Sequence, residues 1–175
     1  MQAVETFMEV KMKFISVFTC LTVLLCLPLW VFAADLKTEV SSCFPDPPPG
    51  WKADSVQFRP KPKPGDRLSS YLEIAGNHIK RFYKKGQSEI RIKLSTQGVG
   101  LYKIVMMAPE QHGSKVVTIK KRKALFKKGN ELLFVVADKA ALRIYFRGNS
   151  LQEDNILSEL AGKFDFKKLE ELLAK

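Results

Sequence analysis

The residue types that most often carry catalysis are sparse in this chain and poorly grouped. Two histidines, His78 and His112, lie far apart, and neither has the spacing of a catalytic or ligand pair. No cysteine–histidine or histidine–carboxylate pattern has zinc-site spacing. Both histidines read as surface side chains. Gly98-Val99-Gly100 is half of a phosphate-loop fingerprint, but the third glycine and a following Lys-Ser/Thr are missing. It reads instead as the end of a strand and the start of a helix. No serine sits in a Gly-x-Ser-x-Gly elbow, and no carboxylates pair as acid and base. No catalytic residue, cofactor or metal ligand is assigned, and the expectation is a protein that is not an enzyme.

One pattern is positive. Lys120, Lys121, Arg122, Lys123, Lys127 and Lys128 place six cations within nine positions. Such runs bind polyanions, although a solvated, solubilising face has the same composition. If the run spans a hairpin, its cations crowd one end of a sheet, and Lys80, Arg81, Lys84 and Lys85 add to them.

The elements that would position these residues are mostly strands. Ser88–Ser95 alternates, with Ile90, Ile92 and Leu94 on one side and Arg91 and Lys93 on the other. This period of two marks a half-buried strand. It follows Lys84-Lys85-Gly86-Gln87 and pairs as a hairpin with a strand near His78–Tyr83. Further strands are expected at Ser70–Ile74, Lys115–Ile119 and Arg122–Phe126. Glu131–Ala137 is apolar on both sides and belongs inside the sheet. Ala141–Arg147 turns Leu142, Ile144 and Phe146 inward and Arg143, Tyr145 and Arg147 outward, after a tight turn at Asp138-Lys139.

Three segments read as helices. Val99–Ala108 is apolar nearly all round, stops at Pro109 and is expected to be largely buried. Leu151–Phe164 gathers Ile156, Leu157, Leu160, Ala161 and Phe164 on one face, with Ser150 and Glu153 as a capping box. A last helix starts from a cap at Asp165 and aligns Phe166, Leu169, Leu172 and Leu173. The sum is an α+β domain, an antiparallel β-sheet with helices packed on one face.

Ahead of this domain, Lys11 and Lys13 precede an apolar run from Phe14 to Trp30, which closes on Val31-Phe32-Ala33. A basic start, a short apolar core and small residues before the cut define a signal peptide. Residues 1–33 are read as that peptide, with Met12 as a possible true start, because Glu5 and Glu9 suit the leading region poorly. Residues 34–68 form an extended, Pro-rich lead-in, since proline fixes the backbone angle and removes a donor. Trp51 is expected to pack onto the domain. Residues 69–175 form the single α+β domain. Removing 33 of the 175 residues leaves 142, enough for one core.

The chain carries 29 basic and 18 acidic side chains, a net charge of +11. Lys11, Lys13, Glu5 and Glu9 cancel, so cleavage leaves that excess intact. Such a charge favours anionic partners: lipid headgroups, lipopolysaccharide, acidic polymers or an acidic protein. Nucleic acid is not expected outside the cell. Cys20 and Cys26 leave with the signal, so Cys43 has no internal disulfide partner, and its place in the lead-in suggests exposure.

Together these residues resemble a group of exported proteobacterial proteins. The shared features are a signal peptide and the lead-in Pro48-Pro49-Gly50-Trp51. Phe82-Tyr83 and Gly86 follow at a hairpin, then Ile90–Leu94, a helix with Met106 and Met107, and a closing Asp165-Phe166-Lys167-Lys168-Leu169. The layout is also similar to the Mog1/PsbP-type sheet, an analogy of architecture that carries no function. The group has no assigned activity, so the resemblance transfers no functional residue. The expected function is a small periplasmic or secreted binding or accessory module. The alternatives are a binder of anionic surfaces through the basic hairpin, and an enzyme with an unrecognised site. Exported material is expected to begin at Ala34, as read by N-terminal sequencing or intact mass. A chain that keeps residues 12–33 in the membrane fraction would overturn this.

Overall fold

The computed structural model describes residues 35–127, 130–148 and 153–175. The signal segment, Ser150 and Lys128 lie outside the described residues. Residues 35–175 cluster as one compact unit.

The chain enters through helix α1, Leu36–Ser41, which Asp35 caps by accepting from the Lys37 N–H. Short strands β1, Lys52–Ala53, and β2, Gln57–Arg59, lead to helix α2, Leu68–Glu73. Then come β3, His78–Lys85, β4, Ser88–Ser95, and helix α3, Val99–Met107. A 3-10 turn at Glu110–His112 precedes β5, Ser114–Ile119, β6, Arg122–Lys127, β7, Glu131–Val136, and β8, Ala140–Arg147. Helices α4, Glu153–Gly162, and α5, Phe166–Ala174, close the chain. The strands form one antiparallel sheet in the order β1-β3-β4-β8-β7-β6-β5, with β2 also paired to β3. The fold is α+β.

Strand alternation divides the sheet into two unlike faces. Ile79 and Tyr83, then Ile90, Ile92 and Leu94, then Leu142, Ile144 and Phe146, and Leu132, Phe134 and Val136 form the apolar face. Leu157, Leu160 and Ala161 of α4 and Phe166, Leu169, Leu172 and Leu173 of α5 are buried in the same core. Asp165 caps α5 through the Lys168 N–H, as its sequence predicts. Each fully buried leucine or isoleucine contributes about 1.5–3 kcal/mol, so this face dominates the stability.

Four expectations change. Ser70–Ile74 is not a strand but lies largely in α2, because Leu68, Tyr71 and Leu72 fall at helical spacing and are all buried. The lead-in is not extended throughout: Leu36 and Val40, one helical turn apart, anchor α1 in the core. Cys43 is 1% exposed, not solvent-facing. Helix α3 buries none of its residues, with Leu101 62%, Ile104 59% and Met107 86% exposed. It lies across the sheet face opposite α4 and α5, where Leu101 and Val105 stand over a cavity instead of packing closely on Leu125 and Leu133.

The lead-in is held by polar contacts from the sheet. Arg81 donates to the carbonyls of Phe44, Pro45 and Asp54, and the Tyr83 hydroxyl donates to Pro45. Trp51 is half-buried and sets its ring edge-on to Phe146, with centroids 6.2 Å apart. Burial pushes the Cys43 thiol up to about 11. The thiolate is the reactive form, so native Cys43 is expected to resist iodoacetamide at mildly alkaline pH and to react once the chain unfolds. Equal labelling rates in the two states would contradict its burial.

Candidate functional site

Residues that alternate with the apolar face build the second face. On β3 these are His78, Lys80, Phe82 and Lys84, on β4 Arg91 and Lys93, and on β8 Arg143, Tyr145 and Arg147. Register places Lys80 opposite Lys93, and Lys93 opposite Arg143. Three cations therefore form one row across three adjacent strands. Phe82, Arg91 and Tyr145 form the neighbouring row. Like charges directly opposite each other destabilise a sheet, on the scale of ~0.2–1 kcal/mol per pair.

Acids compensate this face only in part. Arg143 donates from Nε to Glu131 Oε1 at 2.6 Å, and Arg91 donates from Nη2 to Glu89 Oε1 at 2.8 Å. The Arg91 guanidinium also lies between the Phe82 and Tyr145 rings, 4.9 and 5.2 Å from their centroids. Lys93 has a neutral partner, Gln97 Oε1 at 3.3 Å. Lys80 has no carboxylate or hydrogen-bond partner for its ammonium among the described residues. Burial, followed by the charges of Arg91 and Arg59, lowers the Lys80 pKa. Burial, then Lys80 and Arg143, lowers that of Lys93. His78 is lowered by burial first and also by Lys80, Lys93 and Arg59. Its Nδ1 lies 2.8 Å from the Gly76 carbonyl, so Nδ1 carries the proton. The buried Nε2 of His78 and Nε of Arg91 have no partner among the described residues.

A cavity of about 190 Å³ opens beside this row, between α3 and the sheet. Leu101 and Val105 line it from α3, Leu125 and Leu133 from the sheet, and Arg143 stands in its wall. Gly98, at a φ of 101° that favours glycine, caps α3 and also borders the cavity. The half-fingerprint at Gly98-Val99-Gly100 is thus a strand-to-helix junction. His112 is exposed on the cavity rim.

The basic run is placed differently from its sequence. Lys120 and Lys121 form the exposed β5–β6 turn, with φ of 46° and 64°. Arg122 points to the opposite side, makes two hydrogen bonds to the Glu170 carboxylate at 2.6 and 2.8 Å, and lies over Phe166. Lys123 and Lys127 are exposed on the polar face. The strand period therefore splits the run and withdraws one of its cations. Lys80, Lys93 and Arg143 were missed as a group because they come together only through register. The available signal was that the outward positions of successive strands are basic.

Among the described residues no three His, Cys, Asp or Glu side chains gather to hold a metal. No described helix is long and apolar enough to cross a membrane. No family model matches the chain, and no curated protein or solved structure matches it.

Replacing Lys80 or Lys93 with Gln is expected to stabilise the free protein by a few tenths to about 1 kcal/mol at low salt, and by less at high salt. Burial of the two ammonium groups, with this repulsion added, has a pH signature. Between the lowered lysine pKa and the usual 10.5 the unfolded chain holds more protons, so stability rises with pH through that window. Thermal and denaturant melts check both, and a lower melting temperature in both variants would refute the repulsion.

Proposed function

We propose that this chain is an exported, non-enzymatic binding module that holds an anionic ligand on the open face of its sheet. The supporting observation is the row Lys80–Lys93–Arg143, in which like charges face one another and Lys80 and Lys93 lack a carboxylate among the described residues. An anion seated on that row converts repulsion into charge-assisted hydrogen bonding, each bond worth about 1.5–3 kcal/mol. Arg91, fixed between two rings, adds a preorganised guanidinium beside it. Catalysis is not part of this reading: among the described residues the carboxylates on this face, Glu89 and Glu131, are engaged with Arg91 and Arg143.

A second reading, contact with anionic lipid headgroups or lipopolysaccharide through the hairpin, is supported by the exposure of Lys120 and Lys121 at its tip. It is the weaker one, because Arg122 is committed to Glu170.

Titration with tripolyphosphate at low salt separates the two. Wild type is expected to bind, more weakly as salt rises. The double replacement Lys80→Gln with Lys93→Gln is expected to weaken binding about tenfold or more. Lys120→Gln with Lys121→Gln is expected to change it less than about twofold, as exposed, screened charges do. Absence of wild-type binding, or equal losses in the two double variants, would overturn the sheet-face reading. Binding to phosphatidylglycerol vesicles that depends on Lys120 and Lys121 alone would establish the second reading in its place.

A further inference from the structure

The cation row ends at the mouth of the cavity under α3. Arg143 belongs to both, because it faces Lys93 across the strands and also stands in the cavity wall. Lys93 is held by Gln97, whose neighbour Gly98 borders the same cavity. Cations and apolar walls thus meet at one opening. The walls are Leu101 and Val105 on one side and Leu125 and Leu133 on the other.

Helix α3 makes this juxtaposition informative. An apolar helix laid on a sheet normally buries its inward residues, yet none of the residues of α3 is buried. Its register is nonetheless held, by the Tyr102 hydroxyl donating to the Lys123 carbonyl and by Lys103 beside Asp138 at 3.7 Å. The helix therefore bridges a gap, with Leu101 and Val105 overhanging unfilled space. An apolar cavity of about 150 Å³ is known to hold a benzene ring. The space of about 190 Å³ here suits a short alkyl chain or one ring.

We propose that the ligand of this face is an anionic amphiphile. Its phosphate, sulfate or carboxylate head lies on Lys80, Lys93 and Arg143, and its apolar end enters the cavity between α3 and the sheet. This rests on the anion-binding reading above and adds the ligand's second half. Glu131 also lines the cavity, where it holds Arg143 through Nε. That ion pair fixes Arg143 at the opening, and the excess of Lys80 and Lys93 over this one carboxylate is what disfavours a cationic head.

The test uses octyl phosphate below its micelle-forming concentration, with methyl phosphate and octyltrimethylammonium as the two half-ligands. Each buried methylene is worth about fourfold in affinity, so burying three of them makes octyl phosphate bind roughly sixtyfold more tightly than methyl phosphate. Octyltrimethylammonium is expected not to bind. Leu133→Phe fills the cavity from the sheet side and is expected to erase the octyl advantage, while tripolyphosphate binding stays at the wild-type level. Val105→Phe does the same from the surface helix and serves if Leu133→Phe fails to fold. Equal affinities for octyl and methyl phosphate, or an octyl advantage that survives both fillings, would overturn the amphiphile proposal with the anion reading intact. Binding of octyltrimethylammonium as tight as that of octyl phosphate would overturn its anionic half. Loss of tripolyphosphate binding by wild type would instead remove the reading beneath it.

Discussion

The register of β4 between β3 and β8 is the constraint on which the other features depend. On the apolar face it stacks Ile79, Leu94 and Leu142 in one row and Tyr83, Ile90 and Phe146 in another. Three rows lie between them, and the one next to Ile79, Leu94 and Leu142 belongs to the other face: Lys80, Lys93 and Arg143. A slip of one residue would turn these cations into the core and the leucines out to water. Core burial therefore enforces the charge row. The repulsion within the row is small beside the burial that imposes it, so the protein can carry it.

The same alternation explains why a polar pair can sit on the core face. Arg81 and Tyr83 point inward with Ile79. Their donors satisfy the carbonyls of Phe44, Pro45 and Asp54, in a segment that runs past the sheet edge. Proline supplies no N–H of its own, so the proline-dense stretch from Pro45 to Pro49, ahead of β1, cannot extend the sheet by regular pairing. Side chains from β3 hold it instead. The buried Cys43, the Trp51–Phe146 contact and the aromatic pair Phe44–Phe164 follow from that docking. Burial raises the Tyr83 pKa to about 12, so its hydroxyl remains a donor at any physiological pH.

The strands were legible in the sequence because their periodicity is local. Ile90, Ile92 and Leu94 against Arg91 and Lys93 can be read without knowing any partner. Helix α5 was legible for the same reason, through the Asp165 cap and one apolar stripe. What could not be read depends on distant chain. Cys43 is buried because Phe164 and its neighbours reach it from the far end of the sequence. Helix α3 has the composition of a core helix, but it lies on the face that the core does not use. Tyr71 reads equally well as a strand residue, and only its burial beside Phe58, with Leu68 and Leu72 one turn apart, makes α2 a helix.

Charge shows the difference most clearly. The basic run around Arg122 is dense along the chain, yet a strand sends successive residues to opposite faces, and Glu170 takes up the cation that lands on the core side. Lys80, Lys93 and Arg143 are far apart in sequence and belong to no run, yet they are cross-strand neighbours. In a β-protein the local charge that a ligand meets is summed across strands, at positions that share a row. Density along the chain measures a different quantity. The outward residues of paired strands, taken in register, are therefore the better guide to an anion site. Here they lead to the only stretch of the described sheet where three cations face one another in line. That stretch ends at Arg143, where the open face meets the unfilled space beneath α3. The under-packed helix and the partly compensated charge row thus lie side by side on one face of the sheet.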